Sequence, residues 1–406
     1  MPPLDDVSDT DLMARVAAVV SAPRADPADS FVLHAPLELA ARVALLPRVE
    51  PDERTAARAQ IAAIATAYEA FGSSVPPPGA RTFDSLAEAA RWLGDAIAGG
   101  DLDEVDATAT WLGRRATNDE LARLLADVIV PSLAAAAHGA IFLYQMPRVA
   151  PRGELTAELL RPLARELARH PEWRLRWFDD RSDVQPQPAA ALFDALRAVP
   201  RLGVPGSDFI YPLMSQVERT GVAASLLSRP TSHLDVRDAA RVTLRAAALS
   251  MVQEPGDHAP YGWSHCLTMP QATLGIARAC ADPSTAVAVA ATYVVGFRAA
   301  LACRPLEEHW EPEDPGVAPA ASLERDPEQA AAAVWHASDE SLASVATVLA
   351  TRAARHHDAH LVKYTLACLD AADAHRSDAR LYLAAAARLH GWWVSHDLTT
   401  AAVASA

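Results

Sequence analysis

Lysine is all but missing from this chain: of 36 basic side chains only Lys363 is a lysine, and every other one is an arginine. Basic runs are missing as well. With a net charge of −15 and a pI near 5.4, the chain excludes nucleic acid and anionic membrane surfaces as partners, since both need clustered Lys and Arg. Cysteine is sparse, and Cys266, Cys280, Cys303 and Cys368 stand apart with no CxxC pair. The first residues are acidic (Asp5, Asp6, Asp9, Asp11) where a signal peptide would be positive, so the expectation is a reduced, cytoplasmic protein. Glycine supplies no phosphate loop, dinucleotide fingerprint or GxSxG elbow, and no HExxH appears. The uncharged stretch from Val128 to Pro147 approaches membrane-span length, but Pro131, Ser132, His138, Gly139 and Gln145 interrupt it, so it reads as a buried helix pair. Alternating β-branched patterns are absent, which leaves an all-α fold.

What is present is apolar helix former. At 51% hydrophobic content a chain of 406 residues has ample material for a large core. One all-helical unit over 1–406 is expected, with a subdivision possible near 179–188 and a charged, Pro-containing loop or lid over 304–329. Helical periodicity predicts Asp9 to Val20, Phe31 to Leu45 with Pro36 in its first turn, Ala56 to Phe71, Ser85 to Ala98, Leu102 to Arg115 and Asp119 to Val130. It continues through Thr156 to His170, Ala189 to Ala198, Pro212 to Leu227, Val236 to Gln253 and Ser284 to Cys303. Trp92 and Trp111, each opening a Trp-Leu-Gly triplet, read as core.

Chemistry concentrates between Arg355 and Tyr364, where His356, His357, His360 and Lys363 fall within about two helical turns. His360 and Lys363 are i,i+3 neighbours and share a face. His356 joins them on an unbroken helix, and lies on a loop if Asp358 is instead the N-cap. A chain that uses arginine for every generic cation keeps one lysine here, between Val362 and Tyr364. An amine, unlike guanidinium, can lose its proton when desolvated and attack an electrophile such as CO2. The bland alternative is a lysine that snorkels from an amphipathic helix. His34 sits near a helix entrance, His138 among small and apolar residues, and His265 between Tyr261, Trp263, Cys266 and Met269. Each is equally readable as a capped or hydrogen-bonded core histidine.

The stretches Asp358 to Leu369 and Leu381 to Ala386 resemble the C-terminal signature of the questin oxidase-like family. Ala137 to Ile141, His265 to Pro270 and Phe31 to Leu39 are similar to its other motifs, in the same order. That resemblance implies an all-helical non-haem iron oxygenase, with His34, His138, His265, His360 and a carboxylated Lys363 as metal ligands and with Lys363 and His360 in catalytic roles. The implied reaction is a Baeyer-Villiger-like oxidative ring cleavage of a polycyclic aromatic or quinone-type polyketide, such as an anthraquinone. The implied partners are Fe(II), O2 and the aromatic substrate. NADPH would have to bind without a recognisable fingerprint, or serve only to reduce iron. His357 and Ala359 stand where the family pattern has glycine and glutamate, which puts an acid-base role for that glutamate in doubt. Asp358 is the rival anionic ligand, and Phe142, Tyr144, Tyr261 and Trp263 are candidates for the substrate pocket. Two other readings stay open: a metal-free helical scaffold or interaction protein, and a zinc hydrolase.

Overall fold

A computed structural model describes residues 7–26, 30–149, 154–179, 187–203, 210–324 and 326–404. Those residues form helices and no strand, with isolated bridges at Arg24–Ser74 and Ser132–Arg174. In chain order the helices are α1 (Asp9–Val20), α2 (Ser30–Leu45), α3 (Arg54–Glu69), α4 (Leu86–Gly99), α5 (Leu102–Arg115), α6 (Asn118–Ile129), α7 (Gly139–Val149) and α8 (Glu154–Arg169). Then come α9 (Ala189–Arg197), α10 (Ile210–Arg219), α11 (Val222–Leu227), α12 (Val236–Gln253), α13 (Ser264–Gly275) and α14 (Pro283–Leu301). The last five are α15 (Pro319–Ser322), α16 (Pro327–Trp335), α17 (Asp339–Arg355), α18 (Ala359–Ala374) and α19 (Ala379–Ala404).

Side-chain caps set many of the starts. Ser8, Ser85, Asp101 and Asp235 each accept a backbone N–H of the helix they open, and Thr117 with Glu120 forms a full capping box. α14 is long and apolar enough to cross a bilayer, yet 89% of its apolar window is buried inside the protein. Its neighbours α10, α12 and α13 pack around it, so burial in a protein core accounts for its composition.

Four helices position the candidate site. α2 packs on α7, α7 on α13, α13 on α18, and α18 back on α2, closing a ring whose members come from four distant parts of the chain.

Several expectations need correction. Pro36 lies in the second turn of α2, because the helix starts at Ser30. The helix expected over 212–227 is two, divided at Gly221, whose φ of 71° is left-handed. Trp111 is core, but Trp92 is 46% exposed. Its indole N–H donates to Glu104 at 3.1 Å and Arg81 lies over its ring, an edge position that satisfies the ring without burying it. The break over 179–188 falls almost wholly outside the described residues, as does residue 325 of the expected lid.

Candidate metal centre

His34 projects from α2 into the helix ring. His138 precedes α7 on a strained turn: Ala135, Ala136 and Ala137 have φ of 51°, 48° and 58°, a left-handed run that side chains larger than glycine's normally avoid. The chain on either side pins this turn. Leu133 N–H donates to the Trp173 carbonyl at 2.7 Å, and Leu175 N–H to the Pro131 carbonyl at 2.8 Å. Gly139 follows immediately, and a Cβ there would meet Ile129 at 2.8 Å, so the turn can sit this close to α6 only with glycine.

The turn has a chemical consequence. The carbonyls of Ala135 and Ala136 lie 3.1 and 2.7 Å from His138 Nδ1, and carbonyls only accept, so Nδ1 carries the proton and Nε2 keeps its lone pair. His265, at the start of α13 after a π-helical turn over Ala259–Trp263, repeats the device by donating from Nδ1 to the Tyr261 carbonyl. Its Nε2 is buried with no hydrogen-bond partner among the described residues.

On α18 the alternative left open by the sequence resolves in favour of capping. Asp358 is the N-cap, and its Oδ1 accepts from the N–H groups of His360 and Leu361 at 2.8 and 2.9 Å. Its other oxygen lies 3.6 Å from His360 Nδ1, beyond direct bonding but close enough to orient the ring. Both ring nitrogens of His360 and the amine of Lys363 are buried without a hydrogen-bond partner among the described residues.

The rings converge. His34 Nε2 is 3.1 Å from His138 Nε2. Ring centroids are 4.5 Å apart for His34–His360, 5.0 Å for His265–His360, 5.3 Å for His138–His265 and 6.2 Å for His34–His265. His34, His265 and His360 can each offer one nitrogen with all three within 4.8 Å of one another. Two nitrogens bound at about 2.0–2.1 Å to one ion stand roughly 2.9–3.4 Å apart. The His34–His138 separation already fits, while the other rings must draw in.

Electrostatics favours the ligand form. Burial first, then repulsion from Lys363, lowers the pKa of His34 and His360 and takes that of His138 to about 3. For His265 burial comes first, followed by the other histidines and Lys363. All four are therefore neutral imidazoles near pH 7. Burial draws Lys363 down to about 8 against the opposing pull of Asp358 and Glu38.

Sequence reasoning missed Glu38 and Arg42. Both are buried, Arg42 fully, and together with His34 they form an i, i+4, i+8 ladder along α2. Arg42 bonds Glu38 at 2.8 and 2.6 Å and donates to the carbonyls of Ala354 at 2.8 Å and His356 at 2.6 Å. It thereby ties α2 to the entry of α18. That spacing was visible as a signal. Phe297, also missed, stacks on His265 with centroids 6.4 Å apart.

The pocket candidates separate. Phe142 lines a narrow cleft that also touches His138. Tyr261 is 53% exposed and stands edge-on to His360 at 4.9 Å. Trp263 is buried beside the site, and Tyr144 packs against Gly275, well down α13 from His265. His356 and His357 stay on the loop, stacked on each other at 4.3 Å and against Trp393.

No family model, curated protein or solved structure matches this chain.

Proposed function

We propose that this protein is a non-haem iron oxygenase that cleaves a ring of a polycyclic aromatic or quinone-type metabolite by Baeyer-Villiger-like oxygen insertion. The observation that carries the reading is a group of four buried, neutral histidines near the chain's one lysine: His34, His265 and His360 can place one nitrogen each within 4.8 Å of one another, His138 lies 3.1 Å from His34, and among the described residues the Lys363 amine has no hydrogen-bond partner. Buried polar atoms are ordinarily satisfied, and here His265 Nε2, both nitrogens of His360 and Lys363 Nζ lack a protein partner in one place. A shared cation would take one nitrogen of each histidine, and Lys363 only through an anionic carbamate. Neutral imidazoles with one anionic oxygen suit Fe(II), which when bound supplies the activation of O2.

The residues divide the work. His34, His138, His265 and His360 hold the ion, and the carbonyls of Ala135, Ala136 and Tyr261 fix the tautomers of two of them. Lys363 takes up CO2: the neutral amine attacks carbon, a C–N bond forms, one N–H proton leaves to water, and the product is an anionic carbamate. With an amine pKa of about 8, roughly a tenth is neutral at pH 7, enough to feed that equilibrium. Asp358 caps α18 through Oδ1 and leaves Oδ2 3.6 Å from His360 Nδ1, so it stays the rival anionic ligand to Lys363. Tyr261 marks the solvent-facing side by which an aromatic substrate reaches the centre. NADPH is assigned only the role of keeping iron reduced.

A metal-free scaffold would have to satisfy these buried nitrogens with bound water instead. The HExxH form of a zinc hydrolase is ruled out, since His357 occupies the glutamate position and His356 lies before α18. The test is anaerobic loading with Fe(II) followed by O2 and a hydroxyanthraquinone. Oxygen uptake with bleaching of the quinone absorbance is expected. Freshly purified protein without a stoichiometric transition metal, together with no uptake after loading, overturns the proposal in favour of the scaffold.

A further inference from the structure

A second approach reaches His138, a different histidine from the His360 that Tyr261 faces. Between α2, α7 and α8 runs a cleft walled by Val32, Leu33, Pro36, Leu37, Phe142 and Leu163, with Arg24 and Glu166 also on its lining and His138 among the residues it touches. Arg24 and Glu166 are half-buried and already engaged, Arg24 with the Tyr68 carbonyl and Glu166 with Arg169, while His138 is almost fully buried. The polar groups thus mark the outer end and the imidazole the inner end. The walls between are aliphatic, proline and phenylalanine, together with Tyr68, whose hydroxyl donates to the Ala22 carbonyl at 3.0 Å.

Size decides what can use it. Its volume is about 30 Å³, room for about two water-sized molecules, and far below the roughly 300–1,000 Å³ of a pocket that encloses an organic ligand. Apolar cavities of this kind hold water poorly and take up apolar gases such as xenon. A molecule that fits must be small, uncharged and without need of hydrogen bonds. Dioxygen has those properties and a three-ring quinone does not.

We infer that this cleft is a dioxygen route and holding site that delivers the gas at His138, separate from the Tyr261 side used by the organic substrate. The choice of dioxygen rests on the oxygenase reading; the capacity to bind an apolar gas rests on the cleft alone. Two approaches ending at different histidines let the organic substrate cover the exposed side without shutting out the gas.

Xenon tests the cleft without any turnover. In xenon-pressurised crystals of the whole protein, a xenon atom is expected among Leu37, Phe142 and Leu163, and it should be lost in Leu163→Phe. In iron-loaded protein the same substitution should raise KM for O2 several-fold with kcat at saturating O2 unchanged. Leu33→Trp, at a half-buried wall position that tolerates bulk, gives the same readout should Leu163→Phe fail to fold. Absence of xenon from the wild-type cleft overturns the inference whatever the activity, and so does an unchanged KM for O2 in both narrowed variants. Xenon bound in a wild-type protein that never consumes oxygen overturns the oxygenase reading instead, and with it the assignment of dioxygen.

Discussion

Replacing Lys363 by methionine should stabilise the metal-free protein, and the gain should depend on pH in a defined way. The Lys363 amine is buried, unpartnered and drawn from its ordinary 10.5 to about 8, first by burial. A folded-state pKa below the unfolded one means that the unfolded chain holds the proton more tightly, so the charged lysine works against folding. The penalty is complete below pH 8, where both states are protonated, and amounts to roughly 3 kcal/mol. Between pH 8 and 10.5 the folded protein has released the proton and the unfolded chain has not, so stability rises with pH and the penalty fades. Methionine keeps most of the length and volume of lysine without the amine. In urea unfolding with excess chelator, Lys363→Met should therefore be more stable than wild type by roughly 3 kcal/mol at pH 7, with the difference nearly gone by pH 10.5. Comparing the two proteins at each pH cancels every other titrating group. On the proposed reading of Lys363 as a fifth iron ligand, saturating iron should reverse the order, because only wild type would gain that binding energy. A methionine variant no more stable than wild type at pH 7 in chelator, or one with a constant advantage from pH 7 to 10.5, would refute the assignment of Lys363 as a desolvated, unpartnered amine.

Lys363→Arg keeps the charge but cannot form a carbamate, so iron content and oxygen uptake should fall together, while Lys363→Ala with added short-chain carboxylate should recover part of both; full iron occupancy in the arginine variant removes Lys363 from the ligand set. Ala136→Gly relieves a left-handed residue at φ 48°, worth about 1–2 kcal/mol less about 0.5–1 for glycine's extra chain entropy, so a small rise in Tm is expected, against a fall for Ala136→Val. Arg42→Met leaves the Glu38 carboxylate buried without its partner and should cost about 3–5 kcal/mol in urea unfolding. The double variant with Glu38→Leu should win much of that back, and equal loss in single and double variants would show that the pair is not coupled.

The helices that open with a side-chain cap and keep one amphipathic face were readable with little error: α1, α5 and α12 run over the expected residues. Lys363 was readable by its rarity, and its spacing from His360 survived either reading of Asp358. The left-handed alanines were not readable, because alanine is the best helix former and local propensity predicts a continuous turn where packing imposes a break. Trp92 misled for the opposite reason: a large ring suggests core, but nothing in its neighbourhood says that its face of α4 is an outer one. The ring formed by α2, α7, α13 and α18 is a tertiary fact with no local signature. The grouping of His34 and His138 with the later histidines came from a family resemblance rather than from any pattern in the residues themselves. The His34, Glu38, Arg42 ladder, by contrast, was present as spacing and went unread because a buried arginine is not what a helix rich in alanine and leucine suggests.

The closed ring has a consequence for how the protein acquires its centre. Arg42 reaches carbonyls 312 and 314 positions further along the chain, and the His34–His138 contact spans 104. Each closure removes entropy from a long loop before any contact repays it, and contacts this distant form slowly. No contiguous fragment that omits either end of the ring contains the centre, and no half of the chain can be expected to carry it. The chain must complete nearly all its tertiary structure before four imidazoles face one another, so if the proposed metal binds there, its occupancy would gauge finished folding.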